Sequence, residues 1–217
     1  MSALLDPPLA TPTLPPLGST MAQATRPSQP WPRRYRWTNE EVCKLGDAGY
    51  FSGRSVILVD GVILEIPLAT PAHDAILNLL DYMLKEIFRS GYAVRVQSGL
   101  NISIDTNPLP DLAVVTGSPK DYITHQPKSA LLIVEVSNTS FAYDSGEKSN
   151  LYAAAGIIDY WVLDLNDRQL FVFREPIADS EAPRGYRYAS IQTLTTADAI
   201  TPLAAPEASI RVADMLP

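Results

Sequence analysis

The chain has 217 residues, 46% of them hydrophobic, and sets 17 Lys and Arg against 24 Asp and Glu for a net charge of −7. That length carries one domain with an ample core, and a single cysteine excludes a disulfide framework or a thiolate metal cluster. With no apolar run near the ~18 residues of a membrane span, and no basic and apolar leader of the signal-peptide kind, the expected setting is cytoplasmic, away from any membrane.

Residues 1–32 hold eight of the 19 prolines and almost no charge, so they read as a disordered, proline-rich leader ahead of a folded domain at 33–217. Thr38 and Glu41 spell a capping box for a short helix, with Val42, Leu45 and a buried Cys43 on its apolar side. Residues 56–59 and 62–66 make a hairpin across Asp60-Gly61. Thr70 then caps a helix with Pro71 at its first position. Its core face is Ile76, Leu79, Leu80, Met83, Leu84, Ile87 and Phe88. Strands follow at 92–97 and 100–104, expected to pair with each other, and at 112–115.

The run at 131–136 reads as a central strand buried on both faces. A helix over 146–155 leads to a hairpin at 160–165 and 170–174. Short strands near 186–191 and Ile210 close the chain. This order predicts an α/β domain with a mixed central sheet flanked by helices.

Carboxylates within or at the ends of apolar strands are informative, because burying one costs several kcal/mol unless it is paired or metal-bound. Asp111, Glu135 and Asp164 are of that kind. Hard divalent cations take oxygen ligands and need only one or two carboxylates from the protein. Asp111 and Glu135, on adjacent strands, supply such a pair for Mg²⁺ or Mn²⁺, which would activate water against a phosphodiester. Lys148 lies on the core side of a helix, with Leu151 and Tyr152 beyond it, and needs an acceptor that the two acids provide. A purely structural Glu135–Lys148 ion pair fits the same residues, with Asp111 as a turn residue. Asp164 reads as a strand-end turn acid and Asp144 as a helix cap. His73, in the first turn of the long helix, is an auxiliary polar candidate, while His125 reads as solvated. The histidines are too few for zinc, and neither a nucleophile elbow nor a phosphate loop occurs.

In chain order the sequence carries Val59-Asp60-Gly61, His73, Pro110-Asp111, Val134-Glu135-Val136-Ser137, Tyr143-Asp144 with Lys148, Tyr152-Ala153-Ala154-Ala155-Gly156 and Tyr160-Trp161-Val162-Leu163-Asp164. This set, spanning roughly residues 35–175, resembles the Uma-type family of endonucleases. The resemblance implies a restriction-endonuclease-like, PD-(D/E)XK core, with the proline–aspartate at Pro110-Asp111 and the second acid at Glu135. The usual lysine position two residues later holds Ser137, and the family places its lysine on the following helix, here Lys148. Family members often carry glutamate where this chain has Ile57. Glu65, on the returning strand, is a candidate substitute for that glutamate, though outside the motif.

The function expected is therefore a Mg²⁺-dependent DNA endonuclease, with Asp111 and Glu135 on the metal and Lys148 orienting water or offsetting charge. Its alternative is a catalytically silent relative that binds nucleic acid or a protein through the same fold, which the acidic total and Ile57 favour. By analogy with restriction-like nucleases a homodimer is expected. A DNA-binding cleft should gather basic residues from Arg33, Arg34, Arg54, Lys85, Arg95 and Lys120.

Overall fold

Asp60 and Gly61 turn the chain with φ of 50° and 72°, the left-handed backbone that joins two twisting strands through a two-residue hairpin. They connect β1 (Ser55–Val59) to β2 (Val62–Ile66) in the computed structural model, which describes residues 32–217. The leader expected over 1–32 lies outside the described residues, Pro32 excepted. Before the hairpin, Thr38 caps α1 (Asn39–Asp47) with the capping box in place. No residue of α1 is buried, and Cys43 is exposed rather than in the core. Glu40, Glu41 and Lys44 solvate the helix, leaving Val42 and Leu45 only half-buried. After the hairpin, Thr70 caps α2 (Pro71–Ile87). Its buried stripe runs through Ile76, Leu77, Leu80 and Leu84 to Phe88. Leu77 therefore takes the core place expected of Leu79, which is exposed.

A six-stranded sheet forms the centre of the unit Tyr35–Pro217. Its order is β3 (Tyr92–Val96), β4 (Leu112–Thr116), β5 (Leu132–Ser137), β6 (Asp159–Asp164), β7 (Gln169–Ala178) and β8 (Tyr186–Leu194). Only β5 and β6 are parallel, so the chain must cross over between them. It does so through α3 (Phe141–Tyr143), a π turn at Asp144–Lys148 and α4 (Ser149–Ala154). The helical stretch thus begins five residues earlier than the expected 146 and widens where Lys148 sits. A small pair, β9 (Ala199–Ile200) and β10 (Ile210–Arg211), completes the strands.

Every residue of β5 and β6 is buried, as expected of a central pair covered on both faces. On one face Leu132, Val134 and Val136 pack with α2 and the C-terminal residues Ile210, Val212 and Met215. On the other, Ile133 packs with Ile57, Leu151, Tyr152 and Tyr160. Residues 100–104 do not form a strand, and β3 pairs with β4 instead. Gln97 turns away at φ 42°, and Leu100 is fully buried while its N–H donates to the Pro108 carbonyl. Pro108 and Pro110 lack the N–H groups a partner strand would require. No helix among the described residues is long and apolar enough to cross a membrane.

Candidate functional site

The alternation of β5 sends Glu135 to the face covered by the crossover helices, opposite Val134 and Val136. Asp111 immediately precedes β4, whose Leu112 pairs with Val134 of β5. The two acids are tied through their backbones. The Asp111 N–H donates to Glu135 Oε2 at 3.3 Å, and the Val136 N–H donates to Asp111 Oδ2 at 2.8 Å. Lys148 reaches in from the π turn, its Nζ 2.9 Å from Glu135 Oε2 and 2.9 Å from Asp144 Oδ1. The Tyr152 hydroxyl of α4 donates to Glu135 Oε1 at 2.9 Å. From the head of α2, His73 Nε2 lies 3.1 Å from Asp111 Oδ2. Exposure grades the set: Glu135 and Asp144 side chains keep 1% and 2%, whereas His73, Asp111 and Lys148 keep 14%, 15% and 15%. His73, Asp111, Lys148 and Asp144 line a cleft of about 870 Å³, and Glu135 lies sealed behind them.

Burial pushes the Glu135 carboxyl up to about 8, with Lys148 pulling in the opposite direction. Burial also opposes the charge on Lys148, but Glu135 and Asp144 outweigh it and hold its proton more tightly than usual. For Asp111 burial raises the proton affinity, yet the His73 hydrogen bond and charge, the Val136 N–H and Lys148 bring it below the ordinary aspartate value. His73 moves up in response, chiefly through its hydrogen bond to Asp111. Tyr152 is pushed well above the phenol range by burial and by Glu135, so its hydroxyl stays a donor.

Three acids, Asp111, Glu135 and Asp144, therefore face one ammonium and one imidazole, with burial favouring the protonated form of Glu135. Asp111 Oδ2 is engaged twice, whereas Oδ1 accepts no hydrogen bond among the described residues and is not sealed from solvent. An acid whose ionised form a nearby cation would favour, beside an open oxygen at a cleft, fits a hard cation. Among the described residues no three His, Cys, Asp or Glu side chains converge as a ready-made cage. An ion here would take two carboxylates, with water and substrate completing its shell, which is the Mg²⁺ pattern rather than that of zinc or calcium.

Asp111, Glu135, Lys148 and His73 thus come together. Asp164 does not join them: its Oδ1 accepts the Asn166 N–H at 2.9 Å, as a strand-end turn acid does. Nor is Asp144 a helix cap; it is a buried partner of Lys148. Ile57 points to the apolar side with Leu64, whereas Glu65 pairs with Val56 on the opposite face of the hairpin. Glu65 lines the same cleft as Asp111 and Lys148. The expected basic lining is not found: Arg54, Lys85, Arg95 and Lys120 lie elsewhere, and Lys148 is the lone Lys or Arg lining the cleft among the described residues. Arg95 instead stacks over Tyr122. Tyr152 and Asp144 escape a sequence reading, because the partners that give them meaning are across the sheet or one π turn away. Their signal is a polar group on the otherwise apolar side of the helix that carries Lys148.

A family model described as "Putative restriction endonuclease", Uma2, matches residues 50–213. No curated protein matches the chain. Among solved structures, the chain resembles a protein from Anabaena variabilis described as a putative nuclease belonging to DUF820. The TM-score is 0.62 at 15% identity, covering 82% of this chain and 96% of that one. At that identity the likeness is one of fold.

Proposed function

The chain belongs to the Uma2 family, and on that premise we propose that it is a divalent-metal-dependent endonuclease hydrolysing DNA phosphodiester bonds in the cleft of Asp111, Glu135 and Lys148. The observation that carries this reading is the cluster of three acids against one ammonium and one imidazole, with Asp111 Oδ1 open to the cleft. Asp111 and Glu135 would hold Mg²⁺ or Mn²⁺. When bound, such an ion offsets charge on the scissile phosphate and makes a neighbouring water a stronger nucleophile.

The remaining work falls to the protein's own groups. His73 Nε2–H donates to Asp111 Oδ2, which leaves Oδ1 as the oxygen offered to the cleft. Tyr152 fixes Glu135 through Oε1 and so keeps Oε2 aimed at Asp111 and Lys148. The Lys148 ammonium, charged throughout, lies where it orients the attacking water or offsets charge growing on the phosphoryl oxygens. Water adds to phosphorus and gives up a proton to solvent, the P–O bond to the leaving strand breaks, and the leaving oxygen takes up a proton from solvent.

One observation favours a second reading, a silent relative that binds nucleic acid or protein: a buried isoleucine, Ile57, stands where the family often has glutamate. Cleavage separates the two. Supercoiled plasmid and single-stranded DNA are incubated with the full chain in Mg²⁺ or Mn²⁺, with EDTA as control, alongside Asp111→Ala and Lys148→Ala. The nuclease reading expects metal-dependent cleavage that both variants abolish. Folded wild type that cuts neither DNA with either ion overturns it in favour of the silent relative.

A further inference from the structure

We infer that Asp144 is a positioning residue for Lys148, holding the ammonium at the cleft floor once Glu135 directs its charge to a cation. This rests on the nuclease reading above. Asp144 begins the π turn that Lys148 ends, and its side chain is 2% exposed. Three contacts fix it: Oδ1 lies 2.9 Å from Lys148 Nζ, Oδ2 accepts the Ser140 hydroxyl at 2.5 Å, and its backbone carbonyl accepts the Tyr160 hydroxyl at 2.8 Å. A π turn of this kind departs from the favoured helical ladder and recurs at functional positions. Here it places an aspartate and a lysine together at the cleft.

Two buried acids meet one ammonium, one more than neutralisation requires, and a buried acid without a purpose is costly. The surplus has a use when Glu135 is shared. With Glu135 as its sole partner, Lys148 would compete with the cation for the same Oε2. When the cation won, the lysine would be left near it with no counter-charge. Asp144 removes that conflict, because Lys148 keeps a carboxylate while Glu135 is released. Asp144 thus acts on the cation site through Lys148.

Direct Mn²⁺ binding to the full chain, read from the electron paramagnetic resonance signal of free Mn²⁺, tests this without reference to activity. The set is wild type, Asp144→Asn, Lys148→Met and the double variant, with thermal melts to establish folding. Asp144→Asn should bind Mn²⁺ about tenfold more weakly than wild type, the range seen when a partner behind a metal ligand is removed. Lys148→Met should bind at least as tightly as wild type, and the double variant should match Lys148→Met. Wild-type affinity in Asp144→Asn overturns the inference. So does a double variant weaker than Lys148→Met, which would place the effect of Asp144 in its Ser140 and Tyr160 contacts. The double variant removes both charges together, so this second comparison stands even if Asp144→Asn does not fold. Wild type that takes up no Mn²⁺ overturns the metal reading itself, and this inference with it.

Discussion

Asp159 and Glu135 are both sealed within neighbouring parallel strands, yet their charges are closed in different ways. Asp159 of β6 faces Arg174 of β7 directly across the ladder. Its Oδ1 accepts Arg174 Nε at 2.8 Å and the Trp161 indole at 2.7 Å, and its Oδ2 accepts the Leu203 N–H at 2.9 Å. Arg174 spends a further donor on the Thr201 carbonyl at 2.7 Å. One acid meets one guanidinium, every carboxylate oxygen is engaged, and residues 201–203 are pinned against the sheet. The Glu135 cluster has more acids than cations and leaves Asp111 Oδ1 open to a cleft. A cluster that balances itself needs nothing from outside and serves the fold. One with more acids than cations, opening on a cavity, has the character that the proposed metal site requires.

The largest expected effect lies on the closed side. Arg174→Ala strands a buried carboxylate and should lower stability by about 3–5 kcal/mol in urea denaturation. A loss under ~1 kcal/mol would erase the contrast. On the open side, Asp111→Asn should reduce cleavage by about 10²–10³-fold, as loss of one transition-state charge partner does. Its melting temperature should fall only modestly, since the fold holds the Asp111 charge somewhat more favourably than water does; a loss as large as that of Arg174→Ala would make Asp111 structural too.

Acidity sharpens the comparison further. The Glu135 carboxyl, raised to about 8, must lose its proton when a cation binds. Mn²⁺ affinity should therefore rise with pH by up to about tenfold per unit below pH 8 and flatten above it. Isothermal titration in two buffers of different ionisation enthalpy reads the released proton directly, and an affinity flat between pH 6 and 8 would contradict the assignment. A smaller effect is expected of Tyr152→Phe, which takes one hydrogen bond from buried Glu135 and should cost about 1 kcal/mol in the same denaturation assay. Least of all, Lys85→Ala breaks an exposed pair with Asp81 and should move stability by no more than about 0.5 kcal/mol.

Much of this was legible in the chain because the signals are local. Asp60-Gly61 can close a two-residue hairpin, Thr70-Pro71 opens α2, and an acid between Leu132-Ile133-Val134 and Val136 stands out in any reading. Asp111, Glu135 and Lys148 were visible as polar breaks in apolar segments. Pairing across distance was not visible. Residues 100–104 look like a strand because Leu100 and Ile102 are apolar, yet their backbones bond to Pro108, Pro127 and one another in an irregular loop. Asp144 resembles a cap until the π turn brings it under Lys148. The Asp159–Arg174 pair depends on a register set 15 residues apart, which neither residue announces.

The account stands most directly on whether the open cluster takes a cation. Crystals of the wild-type protein soaked in Mn²⁺, with diffraction recorded at a wavelength where manganese scatters anomalously, decide this. The prediction is a single strong anomalous peak in the cleft, in contact with Asp111 Oδ1 and the Glu135 carboxylate, and lost in Asp111→Asn. A cleft with no peak, or a peak unaffected by Asp111→Asn, would contradict it and leave Glu135, Lys148 and Asp144 as a structural cluster like that of Asp159.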